Sequence, residues 1–305
     1  MSMTFVHPVL SVVLVLQPAP LADRPAPTKA GPPVAAAVEN TRFATAEALL
    51  DALETADKGL RSLTAEIQYT KVFPEIVGGE KQIRRGKLTF AERMLDDETP
   101  IDPTKIKPGE MVVRAGVPAR AFSIVFTQLI VDEAVREDSK QFIFDGRWLI
   151  ERNEKERQFF KRRLVAPGEV ADPLKIGEGP FPIPIGQKKA DMVARFEASV
   201  AAPLDGLEDK VLPDSLKGTV QLVLKPREGT TEARDFADIR VWYRLSDLLP
   251  RRARTTNIDG SSTDVLLINQ EKNKPVDDAA FSIEPPNEPG WDIDIRSDVR
   301  KAGGK

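Results

Sequence analysis

From Thr45 onward the apolar positions fall at helical spacing, with Leu49, Leu50, Leu53, Ala56 and Leu60 on one stripe and Gly59 near its end. That stripe predicts an amphipathic helix lying on a larger apolar surface. The period then changes to two. Leu63, Ala65, Ile67 and Tyr69 alternate with Thr64, Glu66, Gln68 and Thr70, the pattern of a strand buried on one face. Alternation returns over 82–93, with Leu88 and Phe90 on one face, over 119–132, with Phe122, Ile124 and Phe126, and over 141–144, with Phe142 and Phe144. Asp145-Gly146 separates this last run from Trp148-Leu149-Ile150, and an Asp-Gly pair between apolar strands predicts a tight hairpin turn. A second turn at Asn153-Glu154-Lys155 leads to a strand over 157–164, so 141–164 reads as a three-stranded meander.

The rhythm breaks over 167–187, where Gly177, Gly179, Pro180, Pro182 and Pro184 exclude a regular helix or a central strand. Phe181, Ile183 and Ile185 are nevertheless apolar, so the stretch reads as a lid or cover loop. Helical spacing over 188–200, with Met192, Val193 and Phe196, is followed by strand patterns over 219–224, 238–245, 249–257 and 262–269. Asp259-Gly260 makes a further hairpin turn between the last two. Strands outnumber helices, which predicts a mainly β (α+β) fold: one curved antiparallel sheet with helices packed on one side.

Composition narrows the function. A chain of 305 residues, 41% hydrophobic and 30% charged, can bury a substantial core. Its net charge of −3, with Lys and Arg spread along its length, offers no footprint for nucleic acid. The apolar run Val9–Leu16 and the small, Pro-rich residues through Ala22 read as a signal peptide over 1–22, too short for a permanent membrane span. A flexible Pro/Ala-rich linker is expected over 23–40, a folded domain over 41–295 and a disordered tail over 296–305. The expected compartment is the periplasm. The absence of cysteine removes a lipid-anchoring site, disulfides and thiolate metal sites, so the mature protein is expected to be soluble there.

The only histidine, His7, lies in the expected leader, which leaves no Ser-His-Asp triad, Cys-His dyad or histidine-ligated metal. Carboxylate-only or Ser-Lys chemistry remains, but no spacing among the 47 acidic residues marks a pair. Asp96-Asp97-Glu98 and Asp277-Asp278 lack the ligand spacing of a calcium loop. The expectation is a non-enzyme with no catalytic residues, no metal and no cofactor.

Several short motifs then occur in a telling order. Asp247-Leu248-Leu249-Pro250-Arg251-Arg252-Ala253, Asp259-Gly260 and Phe281-Ser282-Ile283-Glu284-Pro285-Pro286 resemble the closing part of the LolA-like outer-membrane lipoprotein carriers. Asp145-Gly146-Arg147-Trp148 is similar to that family's central hairpin, and the opening helix with Leu63–Thr70 to its first elements. The resemblance spans most of 45–293. It implies an unclosed β-barrel with helices as a lid, binding the acyl chains of lipoproteins or lipids in a hydrophobic cavity. It further implies a monomer that exchanges cargo with an inner-membrane release complex and an outer-membrane receptor. Leu88, Phe90, Phe122, Ile124, Phe126, Phe142, Phe144, Trp148 and Ile150 are the expected cavity lining, and Phe181, Ile183 and Ile185 the expected lid. Arg93 is the best match to the family's lid-holding arginine. RseB-type proteins share this fold, so the alternative is a lipid or lipoprotein sensor acting through a protein partner. The chain departs from the family in extra residues between Leu95 and Pro118 and in an enlarged lid region over 167–216, which leave the cargo open.

Overall fold

A computed structural model describes residues 42–74, 76, 78–99, 115–172, 176, 181–209 and 211–298. The expected signal peptide, linker and most of the expected tail lie outside them, as does much of the 95–118 insertion.

Helix α1 (Ala46–Ala56) begins where the Thr45 side chain accepts the Ala48 N–H at 3.2 Å, an N-cap that satisfies one of the helix's free donors. The strands follow as β1 (Ser62–Val72), β2 (Lys81–Leu95), β3 (Val117–Val131), β4 (Ala134–Glu137), β5 (Lys140–Phe144), β6 (Trp148–Asn153) and β7 (Gln158–Arg163). After helix α2 (Lys189–Arg195) come β8 (Phe196–Ala201), β9 (Thr219–Pro226), β10 (Phe236–Arg244), β11 (Pro250–Asn257), β12 (Ser262–Lys272) and β13 (Asp292–Arg296). Among the described residues, all thirteen strands join one curved sheet in the order β13-β7-β6-β5-β3-β2-β1-β12-β11-β10-β9-β8, with β4 added to β3. The sheet is unclosed: β13 and β8 are its two margins. Neighbours are antiparallel except β13, which runs parallel to β7.

Directly paired residues share a face, so the register sorts the side chains. The inner face carries Leu63, Ala65 and Ile67 of β1, Leu88 and Phe90 of β2, Phe122, Ile124 and Phe126 of β3 and Phe144 of β5 in one buried cluster. A second cluster on the same face joins Leu49, Leu50 and Leu53 of α1 and Met192 of α2 to Val220, Leu222, Ile239 and Val241 of β9 and β10. The outer face holds a third cluster, in which Phe281 of the 3-10 turn Asp278–Phe281 packs on Ala91, Ala121, Ile143, Ile150 and Phe159.

Three elements differ from the periodicity. The helix expected over 188–200 stops at Arg195, because Phe196 turns extended (φ −132°, ψ 151°) and 196–201 pairs with β9 as a margin strand. Strands β4 and β13 are short additions with no alternating core face of their own to announce them. Residues 189–201 therefore belong to the body of the fold, and the part of the 167–216 region that covers the sheet is much smaller than the whole.

Candidate functional site

The inner face between β1 and β6 is covered by Phe181-Pro182-Ile183-Pro184-Ile185, an irregular stretch whose three apolar side chains are all buried in the aromatic cluster. The Phe181 ring lies at the centre, with centroids 5.1 Å from Phe142, 5.6 Å from Tyr69, 6.0 Å from Phe122 and 6.3 Å from Phe126. Edge-on and tilted pairs at these separations are favourable beyond simple burial. The prolines suit the position, since each removes an N–H that would otherwise need a partner on an apolar surface. The gap bounded by Pro182, Ile183, Ala253, Val265 and Leu267 is too narrow to admit a water molecule. In this state the cover itself fills the face.

Polar groups hold the cover at its C-terminal end. Arg120, at the start of β3, donates to the Ile185 carbonyl and to Asp172, each at 3.2 Å, and also pairs with Asp57 just beyond α1. Buried Gln187 donates to the same Ile185 carbonyl at 3.3 Å and accepts the Ile176 N–H at 3.2 Å. Gly186 sits at φ +66°, where a Cβ would run into the Asp57 carboxylate and the Arg120 guanidinium. Only a residue without a side chain lets the cover turn so tightly against that ion pair.

Of the expected lining residues, Leu88, Phe90, Phe122, Ile124, Phe126 and Phe144 come together on the inner face, and Phe142 packs against them. Phe181, Ile183 and Ile185 lie over them. Trp148 and Ile150 do not join this group; they belong to the outer-face cluster with Phe281. The reason is parity across the hairpin. Phe144 pairs with Leu149 and Ile143 with Ile150, so Leu149 shares the face of the aromatic rings and its two neighbours point away.

Parity also corrects Arg93. Odd-numbered positions at this end of β2 face outward with Ala91, and Arg93 pairs with Asp278 at 3.3 Å and lies over the Phe281 ring. It grips the outer-face turn. The arginine on the cover is Arg120, which sequence reasoning missed although it stands two residues before Phe122, in phase with the apolar face.

Among the described residues, no group of three or more His, Cys, Asp or Glu is placed to hold a metal ion, and no helix is long and apolar enough to cross a membrane.

No family model matches the chain, and no curated protein matches it. Similar solved structures include an uncharacterized conserved protein from Thermus thermophilus, at 12% identity over 82% of this chain and 98% of that one, with a TM-score of 0.40. Another is the MucA/MucB complex of Pseudomonas aeruginosa, at 11% identity over 78% of this chain and 60% of the matched chain, with a TM-score of 0.37. A LolA superfamily protein from Nitrosomonas europaea is similar at 11% identity over 79% of this chain and 98% of that one, with a TM-score of 0.31.

Proposed function

We propose that this protein is an exported, non-enzymatic carrier that takes the acyl chains of a lipoprotein or lipid onto the inner face of its sheet. The cover 181–185 swings away as the cargo enters. The single observation that carries this reading is the cover: an apolar, proline-interrupted stretch lies on a face of aromatic and aliphatic side chains without joining the sheet. A surface filled by a separable segment can exchange that segment for an apolar ligand of similar size.

The magnitudes set a length requirement. Burying Phe181, Ile183 and Ile185 stabilises the closed state by roughly 1.5–3 kcal/mol each, about 5–9 kcal/mol together. An acyl chain regains about 0.8 kcal/mol per buried methylene, so roughly six to eleven methylenes are needed to displace the cover. Cargo of this kind fits passage between an inner-membrane release complex and an outer-membrane receptor across the periplasm.

The test is native mass spectrometry of the purified full chain after incubation with lysolipids of graded chain length and with a triacylated lipopeptide. Retention should rise steeply between roughly six and eleven methylenes and include the lipopeptide. No retention at any length, by the native chain or by a variant whose cover has been loosened, would sink the proposal.

A further inference from the structure

Two rows of side chains run across the inner face from strand to strand. Pairing places Phe122, Phe144, Leu149, Arg162 and Arg296 side by side on β3, β5, β6, β7 and β13. The adjoining row is Ile124, Phe142, Glu151, Phe160 and Asp294. Both rows are apolar near the cover and charged toward the β13 margin.

A cavity of about 350 Å³ lies at this change of character, lined by Leu149, Glu151, Phe160, Lys161, Arg162, Asp294 and Arg296. The Lys161 ammonium itself points the other way, over the Trp148 ring. Glu151 is paired with Lys140 at 3.2 Å and Asp294 with Arg296 at 2.7 Å. Arg162 stands in register with Arg296, and among the described residues it has no carboxylate partner. Asp294 already holds Arg296 through two of its nitrogens, so Arg162 is the guanidinium left to meet an added anion in this cavity.

We propose that this cavity receives the phosphate group of an anionic lipid whose acyl chain lies along the same row beneath the cover. The inference rests on the acyl-binding reading above and names the head group that accompanies the chain. Guanidinium groups match phosphate oxygens in a planar, two-pronged geometry. Leu149 and Phe160, the latter 37% exposed, supply an apolar wall that a free phosphate ion has no use for. Adjacent strands lie about 4.8 Å apart, so Leu149 and Arg296 are separated by roughly 10 Å, within the reach of one amphiphile.

The test uses the full chain with an equimolar mixture of dioleoyl phosphatidic acid and dioleoylglycerol, which carry identical chains, in detergent micelles. Bound lipid is counted by native mass spectrometry, with and without inorganic phosphate. Phosphatidic acid should be retained about tenfold over dioleoylglycerol, the scale of one or two charge-assisted hydrogen bonds. Arg162→Gln should bring that ratio to within about twofold of unity while leaving dioleoylglycerol retention unchanged, and Arg162→Lys should keep part of the preference. Arg296→Gln gives an independent reading at a second exposed position. Equal retention of both lipids by the native chain overturns the head-group site and leaves acyl binding standing; retention of neither removes acyl binding as well. Binding of inorganic phosphate with no preference between the lipids assigns the cavity to a free anion and likewise overturns the proposal.

Discussion

Arg120 divides one guanidinium among three stretches of chain: the end of α1 through Asp57, the approach to the cover through Asp172, and the cover through the Ile185 carbonyl. A hydrogen bond to a charged group contributes about 1.5–3 kcal/mol, so this residue sets how often the cover lifts. Replacing it as Arg120→Gln should increase the open population at least about tenfold, since each 1.4 kcal/mol is a factor of ten. Hydrogen exchange at the Ile183 and Ile185 amides should accelerate by that factor, while amides of β1 and β12 keep their protection. Unchanged exchange at the cover would show that side-chain packing alone holds it. The residue was legible in principle. Arg120 and Phe122 lie two apart on one strand, and a period of two puts both on the same face. The family resemblance points to Arg93 instead, and its odd spacing from Leu88 and Phe90 places it on the outward face.

At the level of elements, the connection leaving β2 is tied to the β5–β6 hairpin by Glu98. Its carboxylate pairs with Arg163 at the end of β7 and with Arg147 in the hairpin turn at 3.2 Å. Arg147 also donates to the Asp96 carbonyl at 2.5 Å. The hydrogen bond from Arg163 is the main cause that holds the Glu98 carboxyl below the usual glutamate range; partial burial opposes it, and the charges of Arg147 and Arg163 add to it. A carboxyl depressed in the folded state contributes stability above its unfolded value and loses it as the pH falls through the folded one. Thermal melts of the native chain and of Glu98→Gln should therefore differ near pH 7 and converge in the acid range below ordinary glutamate titration. A difference that persisted there would rule out the ion pair as its source.

The same scale shows what patterning could carry. The helix stripe from Leu49 to Leu53, the alternation in β1 to β3 and the Asp145-Gly146 turn all reappear, because each is a local preference that the fold also satisfies. The outward faces of Trp148 and Ile150 depend on which residues pair across the turn, a nonlocal quantity that alternation does not carry. Phe196 fits a helical stripe with Met192 and a strand equally well, and the free β9 edge decided it. The parallel docking of β13 on β7 follows from the path taken by 282–291, for which no periodic signal exists.

Across the whole molecule, the inner face carries two apolar clusters under two covers of different kinds. The half formed by β8 to β11 is sealed by α1, whose Leu49, Leu50 and Leu53 are almost wholly buried. The half around β2, β3 and β5 is sealed by the 181–185 stretch. A helix with regular internal hydrogen bonds and a cap is a permanent wall, and a short irregular segment is a removable one. Leu50→Ala should accordingly lower global stability by about 2–5 kcal/mol in urea denaturation while leaving acyl retention by the folded fraction intact. Loss of retention without loss of stability would place α1 among the moving parts. The location of the indoles gives this arrangement a practical consequence. Trp148 and Trp291 pack with the outer cluster, and Trp242, whose Nε1–H donates to the Pro203 carbonyl at 2.8 Å, alternates outward from the inner-facing Val241 and Tyr243. Basic side chains lie over all three: Lys161 and Arg163 at Trp148, Arg152 at Trp291 and Arg252 at Trp242. Intrinsic tryptophan emission is therefore a signal from the far side of the sheet, insensitive to filling of the inner face, whereas Tyr69, in contact with the Phe181 ring, is the native chromophore that senses it.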